Sequence, residues 1–123
     1  MTNANLTDTT YPIAVHVTVD IYGKGTATCF PPTATPTLPN TTLDFTIVTS
    51  GWNFDPTIGI VVTDPGTQFP DPPWLGTTTA TLLDLNTDTN EYAYTVNVVR
   101  PSTGEVVSHD PLIKNGGVST CGN

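Results

Sequence analysis

Histidine and cysteine are the side chains of this chain that could bind a transition metal, and each occurs twice. They are His16, His109, Cys29 and Cys121. A blue-copper centre requires two histidines, one cysteine and a weak axial ligand. The closely spaced cysteine, histidine and methionine of such a centre are missing, since the single methionine is Met1. The CxxC or HxxxH spacing of a zinc site is missing as well. We therefore expect no metal centre and no cofactor.

The residue types of a hydrolase triad stand next to one another at Ser108, His109 and Asp110. Consecutive side chains of an extended chain point to opposite sides, so these three cannot form a triad together. A glycosidase would need two carboxylates roughly 5 to 9.5 Å apart across a cleft. The aspartates considered for that role mostly precede a proline or fall in turns: Asp55, Asp64, Asp71 and Asp84. We expect no catalytic residues and a protein that is not an enzyme.

An alternating run of oxygen ligands, Asn86-x-Asp88-x-Asn90, has the first three spacings of a calcium-binding loop. An EF-hand needs glycine at the next position and a bidentate glutamate at the end of the loop. Glu91 and Asn97 occupy those positions. We interpret the run as a hairpin loop rich in turn residues, with a weak surface calcium site as the alternative.

Four aromatic residues are the candidate ligand-binding side chains: Trp52, Phe54, Phe69 and Trp74. They fall at predicted strand ends or in a proline-rich excursion, Asp64–Gly76. A long loop in a small domain is often functional, and a tryptophan on a stiff loop can stack on a sugar or anchor a protein partner. The alternative is that these rings form small cores over the end of the domain.

Composition limits the classes of fold and partner. The chain has 123 residues, 37% of them hydrophobic, which suits one domain spanning residues 1–123. The 12 prolines and 10 glycines argue against long helices. With a net charge of -8 and three cationic residues, the chain cannot line a phosphate track or bind an anionic membrane surface. We expect no nucleic-acid partner and no membrane partner.

Alternation of apolar and polar residues is the strongest structural signal. Apolar residues occupy every second position from Ile13 to Ile21, which predicts a strand with that whole face in a core. Similar runs end at Ile47 and Val98, and Pro101–Gly104 has the residues of a tight turn. About seven short strands separated by turns predict an immunoglobulin-like antiparallel β-sandwich.

The chain start bears on the compartment. The first residues are polar and lack the basic and apolar regions of a signal peptide. We expect a cytoplasmic protein; an exported protein whose leader is not present in this chain is the alternative. In the cytosol both cysteines would be free thiols. In an exported protein, a Cys29–Cys121 disulfide would stabilise the fold by about 4 kcal/mol. We also expect the residues after Asn115 to be loose.

The segment Glu91–Glu105 resembles the last hairpin of immunoglobulin-like and fibronectin type III domains. It supports the fold class but carries no function.

A second resemblance covers Val106–Gly117 together with the Asp-Pro pairs at Asp55 and Asp64. These features resemble a small bacterial family called DP-EP, whose members have a similar size. The Asp-Pro-x-Ile sequence that begins at Asp110 is also weakly similar to the longer inclusion-body proteins of the AidA/PixA type. The DP-EP resemblance implies a β-sandwich without a known activity, so no functional residues are carried over from it.

Taken together, the residues favour a structural or protein-interaction module, with another protein or a second copy of the chain as partner. The alternative is a module that binds a carbohydrate or a small ligand through the loop aromatics. The sequence names no specific ligand for either.

Overall fold

The computed structural model of the chain describes residues 9–116. These residues form eleven strands and no helix. The strands are β1 (Thr9–Val19), β2 (Gly25–Phe30), β3 (Thr33–Ala34), β4 (Thr41–Ile47), β5 (Asn53–Phe54), β6 (Ile60–Val62), β7 (Trp74–Leu75), β8 (Thr79–Asp84), β9 (Glu91–Arg100), β10 (Glu105–His109) and β11 (Leu112–Lys114). The prediction of an all-β sandwich is confirmed. The structure has more strands than the seven or so that the sequence predicts, because strands of two or three residues are too short to show alternation.

The first sheet contains five strands in the order β2-β1-β4-β8-β7. Its β1 and β4 strands are parallel, with Ile13 opposite Phe45, and its other pairs are antiparallel. A parallel pair needs a crossover connection rather than a hairpin. The chain makes this crossover through β2 and the proline-rich stretch Pro31–Pro39. The sandwich is therefore mixed rather than wholly antiparallel.

The second sheet is organised around the long strand β9. Val98 of β9 pairs with Phe54 of β5 on one side and with Val107 of β10 on the other. Strand β6 also pairs with β9, and β11 follows β10 along it. A second parallel pair joins β11 to β3, with Ile113 opposite Ala34. Part of the proline-rich stretch Pro31–Pro39 is thus an ordered edge of this sheet.

Apolar side chains from both sheets meet in one core. The ring of Phe45 from the first sheet packs against Tyr94 from the second, with centroids 5.7 Å apart and planes at 66°. The alternating face of β1 is buried at Ile13, Val15 and Val17, as predicted. The expectation that this face stays in the core as far as Ile21 is wrong, because Ile21 is 91% exposed. Strand β1 ends at Val19, and the chain turns away from the core.

The excursion Asp64–Gly76 joins the two sheets along one side of the sandwich. It leaves β6 through a turn in which Asp64 and Gly66 have positive φ values of 48° and 58°. It ends in β7, which pairs with β8 at the edge of the first sheet. The excursion is therefore a bridge between edge strands rather than a free loop.

Two expectations concern residues beyond those the structure describes. Cys121 and the tail from Gly117 onward lie outside the described residues.

Within residues 9–116, no helix is long and apolar enough to cross a membrane.

Candidate functional site

The excursion encloses an open cavity of about 270 Å³ against the edges of the two sheets. We call this cavity the excursion groove. Its walls are mostly apolar and are formed by Ile60, Val61, Val62, Pro65, Phe69, Pro70, Asp71, Pro72, Pro73 and Leu82. Of these described wall residues, Asp71 alone is ionisable. The arrangement suits apolar side chains of a ligand, with one carboxylate to contact a cation beside them.

Gln68 fastens the excursion to the body of the domain. Its backbone carbonyl accepts a hydrogen bond from the Leu85 N–H at 2.9 Å. Its side-chain oxygen accepts bonds from the Thr87 N–H at 2.7 Å and the Asn115 amide at 3.2 Å, and its amide donates to the Thr87 hydroxyl at 2.9 Å. Gln68 is buried. Sequence reasoning missed this residue, because its partners lie 19 and 47 positions away.

Phe69 follows this anchor and forms part of the groove wall. Its ring meets Tyr92 edge to face, with centroids 5.1 Å apart and planes at 83°. It is half-buried and packs against the edge of the core. Phe69 is therefore a fixed wall with one accessible side, as expected of a candidate binding residue held by neighbours.

Trp74 is the one predicted aromatic whose ring is largely available, since 58% of the residue is exposed. It lies in β7 opposite Thr81, directly after the groove residue Pro73. A Cβ atom at Gly76 would lie 2.7 Å from the Trp74 ring and 3.0 Å from the Thr79 carbonyl oxygen. Glycine at position 76 therefore allows the ring to lie close against the backbone there.

Trp52 and Phe54 are corrections to the candidate set, because each is only 3% exposed. The aromatic ring of Trp52 packs under Gly25 and below the guanidinium of Arg100. Phe54 belongs to the core and lines a second cavity of about 300 Å³ beside Leu75 and Thr77. The sequence places both residues at the end of a short strand. That position alone does not show that the rest of the sandwich covers them.

The residues of the calcium-like run do not converge on a common point. Asn86 donates its amide to the carbonyl oxygens of Pro36 and Leu38 at 3.1 and 3.0 Å. Asp88 accepts hydrogen bonds from the Tyr92 hydroxyl and from the Asn90 N–H. Within residues 9–116, no group of three or more His, Cys, Asp or Glu side chains could hold a metal ion. The loop is rich in turn residues, but the expectation of a hairpin is wrong, because β8 and β9 belong to different sheets.

Asp84 is a fully buried carboxyl beside that loop. One of its oxygens accepts the Asn86 N–H at 2.9 Å. The other oxygen, like the side-chain oxygen of Asn115, has no hydrogen-bond partner among the described residues. Burial raises the pKa of Asp84 to about 6, against the hydrogen bond from the Asn86 N–H, which lowers it. Protonated Asp84 would be a hydrogen-bond donor as well as an acceptor.

The pKa of Asp88 is shifted in the opposite direction, downward. Burial acts to raise its pKa, but hydrogen bonds from Tyr92, Asn115 and Asn90 together lower the pKa below the usual value. Asp55 likewise accepts the N–H groups of Thr57 and Ile58, which lower its pKa. These aspartates occupy separate structural roles rather than one paired site.

The other catalytic candidates are dispersed. The Ser108 hydroxyl donates to Asn97, whereas Asp110 accepts a bond from the Thr95 hydroxyl at 2.7 Å. His16 lies against Phe30, with ring centroids 5.3 Å apart. These contacts are structural ones between neighbouring strands.

Cys29 is buried in β2, and desolvation raises the pKa of its thiol to about 12. A thiol with this pKa is almost wholly protonated at neutral pH and reacts slowly. Because Cys121 lies outside the described residues, the Cys29–Cys121 disulfide stays a prediction.

Comparison of the chain with models of known protein families found no match, and neither did comparison with curated proteins.

Proposed function

We propose that the protein is a non-enzymatic protein-interaction module whose excursion groove binds an apolar segment of a polypeptide. The observation that carries the proposal is the groove itself, with its proline walls and the 44% exposed Val61 among its apolar residues. Exposed apolar surface gathered in one concave place is typical of an interaction site.

The size of the groove favours side chains over a whole small molecule. Its volume of about 270 Å³ lies below the roughly 300–1,000 Å³ of small-molecule pockets. One or two apolar side chains of a partner fit such a space better than a cofactor-sized ligand. The proposed binding of a polypeptide in the groove therefore requires no cofactor.

The stiffness of the groove supports tight binding. Pro65, Pro70, Pro72 and Pro73 restrict the backbone of the excursion, and Gln68 anchors its middle. A partner that docks on a rigid surface loses less conformational entropy on binding. The excursion is thus prepared for contact before a partner arrives.

Carbohydrate binding by Trp74 is the second candidate, supported by the exposure of its ring. A sugar site also needs polar groups around the aromatic face to bond the hydroxyls. Asp71 is the ionisable group that the described groove wall provides. Because the groove wall provides a single ionisable group, it suits a polypeptide better than a glycan.

Selection from a random peptide library, run in parallel with a glycan array, tests the proposal. We expect peptides with aromatic or aliphatic residues beside a lysine or arginine, and Val61→Glu, which places a charge in the groove wall, should weaken a selected peptide about thirtyfold. Leu38→Glu places the same charge on a residue of similar exposure, 52%, outside the groove and should leave binding unchanged. Glycan hits lost in Trp74→Ala would support the second candidate, and the absence of any binder would overturn both.

A further inference from the structure

The turn between β1 and β2 presents two large apolar side chains to solvent. Ile21 is 91% exposed and Tyr22 is 88% exposed, at the point where a hairpin usually carries small or polar residues. We call residues Asp20 to Lys24 the hairpin tip. Two adjacent apolar side chains that contact so little of their own domain form a compact apolar projection.

Hydrogen bonds inside the hairpin tip hold it in one conformation. One carboxylate oxygen of Asp20 accepts the N–H groups of Tyr22 and Lys24, each at 2.9 Å. The Gly23 N–H donates to the Asp20 carbonyl oxygen at 3.0 Å, and Gly23 has a φ of 82° that favours glycine. The two apolar side chains are therefore displayed from a defined turn.

The second sheet supports the hairpin tip from below. Arg100 donates to the Gly23 carbonyl oxygen at 2.9 Å and to Glu105 at 2.8 Å. The other Glu105 oxygen accepts the Gly25 N–H at 2.9 Å. Trp52 lies beneath both Arg100 and Gly25. The tip is thus braced at its base by residues far away in the sequence.

The hairpin tip cannot reach the excursion groove of its own chain. Leu82 of the groove lies in register with Leu43, and Leu43 with Tyr11. The tip begins after Val19, eight residues further along β1, which corresponds to roughly 26 Å at about 3.3 Å per residue. The groove and the tip also lie toward opposite edges of the five-stranded sheet. Only the tip of another molecule could occupy the groove.

We propose that Ile21 and Tyr22 of one copy dock into the excursion groove of a second copy. The inference rests on the proposed function, and it names the polypeptide that the groove binds. The same copy then has a free tip at one end and a free groove at the other. Such a head-to-tail contact is heterologous and extends into chains unless the rotation closes a ring.

Charge complementarity supports this occupant. The hairpin tip carries Lys24, one of three cationic residues in a chain of net charge -8. The groove wall carries Asp71, and Asp64 stands at the start of the excursion. The single carboxylate of the tip, Asp20, is turned into its own turn. A docked tip would therefore bring a lysine to a groove whose one ionisable wall residue is a carboxylate, while moderate salt would screen the overall repulsion between copies.

Sedimentation velocity over a range of concentrations tests the proposal with two single-site variants. Tyr22→Ser removes the tip contact, and Val61→Glu places a charge at the groove mouth on a residue that is 44% exposed. Each variant alone should weaken self-association about thirtyfold. Leu38→Glu changes a comparably exposed residue, 52%, outside the groove and the tip, and should associate like the natural sequence.

Mixing the two variants gives a sharper result. The tip variant keeps an intact groove, and the groove variant keeps an intact tip, so the mixture should form pairs but no longer chains. A natural sequence that stays monomeric at every concentration, or a mixture without pairs, would overturn the inference. If a library-selected peptide still binds the monomer and Val61→Glu weakens that binding, only this inference fails; if no peptide binds either, the proposed function fails with it.

Discussion

The guanidinium carbon of Arg100 lies 4.7 Å from the ring centroid of Trp52. The contact joins a half-buried cation at the end of β9 to an aromatic residue that precedes β5. The Nη2 group of Arg100 donates to Glu105 and to the Gly23 carbonyl oxygen, whereas its buried Nε has no hydrogen-bond partner among the described residues. One side chain thus links the second sheet, the buried tryptophan and the β1–β2 turn.

Replacing Arg100 by methionine should destabilise the domain by about 1–3 kcal/mol, because it removes a cation–π contact, an ion pair and a hydrogen bond to a turn. Lys114→Met is the matched control, since it removes the same charge from an exposed position. Urea unfolding of both variants measures the difference. Equal losses would show that the Arg100 contacts contribute nothing beyond net charge.

Aspartate substitutions at Val17 and Ile21 should have opposite outcomes, although both residues lie on the same alternating face of the sequence. Val17 is buried, so Val17→Asp places an unpaired charge in the core and should unfold the domain. Ile21→Asp should change the free energy of unfolding by less than about 0.5 kcal/mol. Thermal unfolding distinguishes the two. A large loss at Ile21 would mean that the turn is packed rather than exposed.

Asp84 should make the protein more stable in mild acid than at neutral pH. Its pKa is raised to about 6 in the folded state, against about 3.9 in an unfolded chain. A raised folded-state pKa adds stability that is complete below about pH 4 and is lost as the pH rises through 6. The difference between these limits is about 2–3 kcal/mol.

Asp84→Asn should remove this pH dependence, which urea unfolding at pH 4.5 and pH 7.5 measures. The charged or titratable groups near Asp84 are the Asp88 carboxylate and the Tyr92 hydroxyl that binds it. Asp88 has a lowered pKa, so its contribution is lost only as the pH falls below about 3.9. An unchanged slope between the two pH values in Asp84→Asn would assign the effect to another group.

The cysteines should both titrate as free thiols once the protein is unfolded without reductant. In the folded protein Cys29 should react slowly, because it is buried and its pKa is about 12. A chromogenic thiol reagent, added before and after guanidinium, measures both states. If no thiol titrates after unfolding, Cys29 and Cys121 form the disulfide expected of an exported protein.

The sequence predicted most of the long strands and part of the candidate site. Alternation located β4 and β9 because the side chains of a strand alternate between its two faces wherever the strand lies. The proline content marked the excursion, and Trp74 proved exposed within it. The same reasoning misplaced Trp52, whose cover comes from Arg100 and Gly25 on other strands.

What the sequence determined by itself is local: the extended backbone, the faces of the strands and the stiffness of the excursion follow from β-branching, alternation and proline. Tertiary structure alone decided which apolar residues are exposed to solvent. Ile21 continues the pattern of Val17 yet leaves the core, because Asp20 ends the strand with a turn. Gln68 and Asp84 look like surface residues but are buried. Burial depends on what packs across a gap, and those neighbours come from distant parts of the chain.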